Sequence, residues 1–178
     1  LSLHDALPIF ALYQNDGGSN HWIKVDLDGT VSNRDGIGFR AGTREVYNVI
    51  IDRVSISWAI DENVGIFNPQ MHPSIHDVTV SNSIIAEGLY KSKHSEGIHS
   101  MGMLVGEYTN NLSIHHSLFA HNNKRNPMIK GGSSVEFVNN VVYDWHGTLG
   151  SAVANVSNVE GINLPVYLNF IGNIYKHD

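Results

Sequence analysis

The 178-residue chain contains no cysteine. That excludes disulfides and thiolate metal sites and leaves the compartment open. Its longest apolar runs are far too short to span a bilayer, so no membrane partner is expected. No heptads occur, and charged residues make up only 16%. No basic stripe interrupts a net charge of −6, which argues against a nucleic-acid partner. The opening residues Leu1–Phe10 (LSLHDALPIF) lack the basic and apolar regions of a secretory signal. They do not lead into the pattern that follows and read as a non-native, adaptor-like leader.

What is present is a repeat. The chain is 42% hydrophobic, with 17 glycines, short β-branched runs and 11 histidines, several of them clustered between 94 and 121. Asn111–Ala120 and Ser134–Tyr143 can be written one under the other in ten columns, with Leu112 over Val135, Ile114 over Phe137, Leu118 over Val141 and Phe119 over Val142. Apolar residues two apart are what one buried face of a strand requires. The same template fits Asn48–Ser57, Asp77–Ala86 and, more loosely, Tyr167–Lys176. Column-two residues at 49, 78, 112, 135 and 168 give spacings of 29, 34, 23 and 33. Irregular spacings of this size suit a solenoid whose coils share a strand position and differ in loop length. Asn82, His116 and Asn139 share column six, where stacked side chains are expected to form an inward polar ladder with a structural role. The fold expected is all-β, a parallel β-helix occupying residues 11–178. The final stretch IGNIYKHD stops within a repeat-like strand with no cap, so an internal fragment, truncated at both ends, is expected.

Polar clusters lie between the strands. Asp26, Asp28, Asn33 and Asp35 hint at a cation loop but miss the later ligands of an EF-hand, and such residues more often make turns. Asp35, Asp61 and Glu62 can converge from neighbouring coils on one hard cation, although spacing alone favours solvated loop charges. Residues 86–106 are expected to form a loop leaving the solenoid wall, carrying Lys91, Lys93, His94 and His99. Loops on rigid scaffolds commonly carry function, and cations beside a carboxylate site suit an anionic substrate. Taken singly, each Lys reads as a solvated charge.

Five motifs then occur in order: NVIID-x-x-S-x-SW-x-x-DEN, VTVSNSIIAEGL, a His- and Gly-rich loop, SIHHSLFAHN-x-x-RNP and FVNNVVYDW. Together, over roughly Asp35 to Trp145, they resemble the pectate lyases and close relatives. The resemblance implies a right-handed parallel β-helix, secreted, that cleaves the anionic polysaccharide polygalacturonate by calcium-assisted β-elimination and is a monomer when complete. Carried over by residue, the family's R-x-P-x-x-R motif meets Arg125 and Pro127, with Lys130 in place of the closing Arg. Asp35 and Asp61 meet two calcium positions. A further acidic position falls on Gly65 and is lost, a loss that Glu62 can offset, and Arg53 replaces a His. The substrate-binding Lys falls near Lys91, one residue out of register.

The chemistry explains the grouping. Elimination removes the proton at C5 of a uronate and builds charge on the neighbouring carboxylate, which a bound cation neutralises. A base must then reach C5. By motif the base is Arg125, with Lys130, Lys91 and His94 completing the catalytic set and His99, His121, Lys93 and Asn126 contacting substrate. Free guanidinium has a pKa above about 12, so the other arrangement has Arg125 orienting the substrate and His94, His99 or His121 as base. Lys at 130 cannot make the planar bidentate contact of Arg. Two rivals stand beside the lyase: a non-catalytic carbohydrate-binding β-helix, favoured by Gly65 and Lys130, and a glycoside hydrolase. The hydrolase needs separated carboxyl groups, and only Asp61–Glu62 offers a pair.

Overall fold

The computed structural model describes residues 35–41, 45–67, 75–92, 94–154 and 163–178, with the backbone strands Leu12–Gln14 and Ile23–Val25. Expectations for Leu1–Phe10, Asp26, Asp28, Asn33 and Lys93 fall outside these residues. The two first strands, β1 (Leu12–Gln14) and β2 (Ile23–Val25), pair antiparallel with strands of the first coil.

Beyond them the chain winds in coils of three strands. The first is β3 (Ile37–Arg40), β4 (Val46–Asp52) and β5 (Ser55–Ser57). The second is β6 (Glu62–Phe67), β7 (Ile75–Ser81) and β8 (Ile84–Ala86). The third is β9 (Met101–Val105), β10 (Thr109–His115) and β11 (Leu118–Ala120). The fourth is β12 (Met128–Lys130), β13 (Ser134–Val138) and β14 (Val141–Tyr143). The fifth is β15 (Ala152–Ala154), β16 (Tyr167–Ile171) and β17 (Ile174–Lys176). Equivalent strands stack in parallel into three sheets, the arrangement of a parallel β-helix.

The template's register holds in every coil. Val49, Val78, Leu112, Val135 and Leu168 are successive partners, as are Ile51, Val80, Ile114, Phe137 and Phe170. Through the first four coils these columns point inward and form one core with Ile37, Phe39, Val64, Ile66 and Met103. Each such burial contributes about 1.5–3 kcal/mol. Phe137 stacks on Phe170 with ring centroids 5.5 Å apart, and Phe119 meets Phe137 at a tilt with centroids 5.6 Å apart.

Three sequence expectations need correction. The ten-residue runs are not single strands: each is two strands meeting at a corner in column six. Arg53, Asn82, His116, Asn139 and Gly172 there have φ between 48 and 66°, and all five residues are exposed. A left-handed residue reverses the side-chain alternation, so column six faces out and the next residue faces in. The inward ladder is therefore one position later. Ser83 Oγ accepts from Val54 N (3.2 Å), Ser117 Oγ from Ser83 N (3.1 Å), Asn140 Oδ1 from Ser117 N (2.9 Å) and Asn173 Oδ1 from Asn140 N (2.9 Å). Secondly, the expected loop 86–106 ends in β9. All five residues of β9 are buried, so the alternation that marks a half-exposed strand is absent. Thirdly, the polar connection between β11 and β13 contains the short strand β12.

The candidate site at the entry to one sheet

Four coils enter the β3–β6–β9–β12 sheet side by side, and their entry residues form a row. Gly36 N donates to Glu62 O (2.9 Å), Met101 N to Asp61 O (3.1 Å), Gly102 N to Lys124 O (3.1 Å) and Met103 N to Arg125 O (2.6 Å). Glu62 is paired with Met101, and Met101 bridges to Lys124. Asp35, Asp61, Glu62 and Arg125, about 90 residues apart in sequence at the extremes, are thus collected along the coil axis. Strands stack about 4.8 Å apart, so Glu62 and Arg125, two coils apart, need two long side chains to meet. They do meet: Arg125 Nη1 donates to Glu62 Oε1 across the intervening coil. Arg125 occupies the left-handed region (φ 61°) just before β12, and Gly102 leaves room for the Arg125 carbonyl and the Asn126 side chain.

Three carboxylates gather beside that guanidinium. Asp35, Asp61 and Glu62 each offer an oxygen within 4.8 Å of the others. Asp35 Oδ1 accepts from Glu62 N (3.2 Å). Its other oxygen lies where a Cβ at residue 65 would stand, so Asp35 fills the space that Gly65 leaves. Glu62 is 4% exposed. Burial first, then the Asp61 charge, push its carboxyl up to about 8 against the pull of Arg125. The three carboxylates, with the guanidinium beside them, make an oxygen donor set that fits a hard divalent cation such as Ca²⁺.

The loop 87–100 delivers His94 and His99 to the far side of Asp61. Their rings stack at 3.6 Å, and they are 6% and 4% exposed. His99 Nε2 lies 2.6 Å from Asp61 Oδ1, and His94 Nε2 lies 3.5 Å from Asp61 Oδ2. Burial, the largest influence, holds the His99 imidazole below its ordinary value despite Asp61.

The other sequence candidates are placed elsewhere. Asn126 is 1% exposed and accepts at Oδ1 from Asn122 Nδ2 (3.0 Å), whose own Oδ1 accepts from Asn63 Nδ2 (3.0 Å). It is enclosed in a chain of amides that runs from Asn63 through Asn122 to Asn126. His121 sits on the outer corner, 2.9 Å from Asp144. Lys130 Nζ lies 3.4 Å from Glu107 Oε1, and both side chains are largely covered. Lys91 is exposed on the loop. Sequence reasoning missed the Glu107 and Asp144 partners, although both pairs are 23 residues apart, the local coil spacing. It also missed the amide chain, for which Asn63 directly after Glu62 and Asn126 directly after Arg125 were the only signal.

No protein-family model matches the chain. Among curated proteins, the probable pectate lyase C of Neosartorya fischeri is 36% identical over 147 residues, covering 83% of this chain and 29% of its own length. That of Emericella nidulans is 38% identical over 127 residues, 71% of this chain and 26% of its own. That of Aspergillus terreus is 33% identical over 144 residues, 81% and 28%. The chain spans less than a third of the length of these relatives. With its five coils in register and this likeness along most of its length, the chain belongs to the pectate lyase family.

Proposed function

We propose that the chain carries the cleavage centre of a secreted polysaccharide lyase acting on polygalacturonate, with calcium held by Asp35, Asp61 and Glu62 and with Arg125 as base. The observation that carries this reading is the Arg125–Glu62 contact, which sets a guanidinium against a cluster of three carboxylates. Calcium bound there supplies the positive charge that a uronate carboxylate needs as its C5 proton becomes acidic.

The chain's own residues do the rest. The Arg125 side chain is 25% exposed, so its head has access to a ligand while Glu62 fixes its direction. His94 and His99 are buried against Asp61 and His121 is committed to Asp144, which favours Arg125 over the histidines for the proton. The side-chain amides of Asn63 and Asn126, which directly follow Glu62 and Arg125 in sequence, are joined through that of Asn122, and Asn63 and Asn122 donate to the Ala86 and Ile85 carbonyls. Lys130, beside Glu107, sets the local charge at the end of β12.

The test is ultraviolet absorbance of the unsaturated product from polygalacturonate, with calcium and then with chelator. A calcium-dependent rise that disappears in Arg125→Ala supports the reading. New reducing ends without that absorbance would mean a hydrolase. Saccharide binding with neither signal would leave a binding solenoid.

A further inference from the structure

We propose that Asp61, His94 and His99 form a second cation site, sharing Asp61 with the carboxylate cluster, that takes a borderline transition metal of the Zn²⁺ class. Each of the three offers one ligand atom within 4.8 Å of the others. The two rings lie 11° from parallel, and both present Nε2 to the same carboxylate.

The independent sign is an orphaned atom. His94 Nε2 is buried and has no hydrogen-bond partner, while the neighbouring His99 Nε2 lies 2.6 Å from Asp61 Oδ1. Buried polar groups in native folds are almost always satisfied. An ion among the three groups would take up the unpartnered His94 Nε2, the two rings splaying from their stack so that both Nε2 lone pairs converge on it. Two imidazole nitrogens and one carboxylate oxygen are a donor set for Zn²⁺, Co²⁺ or Ni²⁺, while calcium collects oxygens. The two sites differ in class and share Asp61, so their ions exclude one another.

The protons balance. Glu96 N donates to His94 Nδ1 (3.1 Å), so the metal-free neutral ring keeps its proton on Nε2. Ligation through Nε2 moves that proton to Nδ1 and turns the Glu96 amide toward solvent. Residues 95–98 are exposed and can make that turn.

The experiment titrates the full chain with Co²⁺, reads the visible ligand-field bands, and displaces the ion with Zn²⁺. One site is expected, weakened at least tenfold in His94→Gln and in His99→Ala and unchanged in the exposed His115→Ala/His116→Ala variant. Glu62→Gln, at a residue outside the three ligands, retains it. Circular dichroism confirms that each variant is folded. Because removing a buried ring can unfold the chain, the unmutated protein is also followed by histidine imidazole NMR, where Zn²⁺ is expected to shift two rings. The proposal is overturned if no imidazole shifts, if folded His94→Gln binds Co²⁺ as tightly as the parent, or if Glu62→Gln abolishes binding while the His94 change does not.

Discussion

Asp35 lays one carboxylate oxygen over the bare α-carbon of Gly65, in the space any side chain at 65 would take. An acidic group is thus brought above residue 65 from the neighbouring coil. Gly65→Ala is expected to destabilise the fold by about 1–3 kcal/mol, the ordinary cost of forcing atoms into a packed place. Gly65→Asp adds like-charge repulsion and costs more. Asp35→Ala in the same chain should recover most of the loss at 65, as denaturant melts of the four-member cycle would show. Additive losses would mean that the two positions do not compete for space.

Glu62 sets a pH dependence. Burial holds its folded carboxyl up at about 8, above the ordinary 4.5, so the folded state holds the proton more tightly than the unfolded one. Its contribution is best at or below the unfolded value and declines as pH rises from about 4.5 to about 8, where it levels off. The melting temperature should fall across that window, and Glu62→Gln should flatten the slope. Calcium must displace the same proton, so apparent calcium affinity should rise over the same range. A pH-independent affinity would remove Glu62 from the proposed ligand set.

The ladder position is testable against its neighbour. Asn140 accepts from Ser117 N and donates to Ile114 O, both at 2.9 Å, and is 1% exposed. Asn140→Ala leaves both backbone groups without that partner and should cost about 2–4 kcal/mol. Asn139, exposed at φ 54°, should tolerate glycine with little change, since glycine adopts that conformation freely. Equal losses at 139 and 140 would contradict the assignment of inside and outside.

The fifth coil presents apolar groups to solvent: Leu168 is 37% and Phe170 48% exposed, although their column partners Val135 and Phe137 are buried. With strand edges that can template further pairing, the isolated 178-residue chain should self-associate. Sedimentation should show species that grow with concentration, reduced by Phe170→Lys. A monomer melting cooperatively would refute this.

The repeat was legible because stacked strands impose a local rule. Inward positions alternate within a strand and recur at the coil length, so the spacings 29, 34, 23 and 33 emerge from the residues alone. The ladder hydrogen bonds connect residues at those same four separations. Lys130–Glu107 and His121–Asp144 obey the rule too and were readable in principle. What failed locally was facing. A left-handed corner flips the alternation without any residue type that demands it, since Arg, Asn, His and Gly all occupy column six.

The sequence by itself determined the coil register and the inward apolar columns, because a solenoid turns sequence spacing directly into contact; spacing alone favoured solvated charges at Asp35, Asp61 and Glu62, and their convergence was an expectation of the family resemblance. Only the tertiary structure decided that Arg125 reaches Glu62 across a whole coil and that His94 and His99 close on Asp61. Those contacts depend on side-chain reach and on the path of the 87–100 loop, and neither follows the coil period.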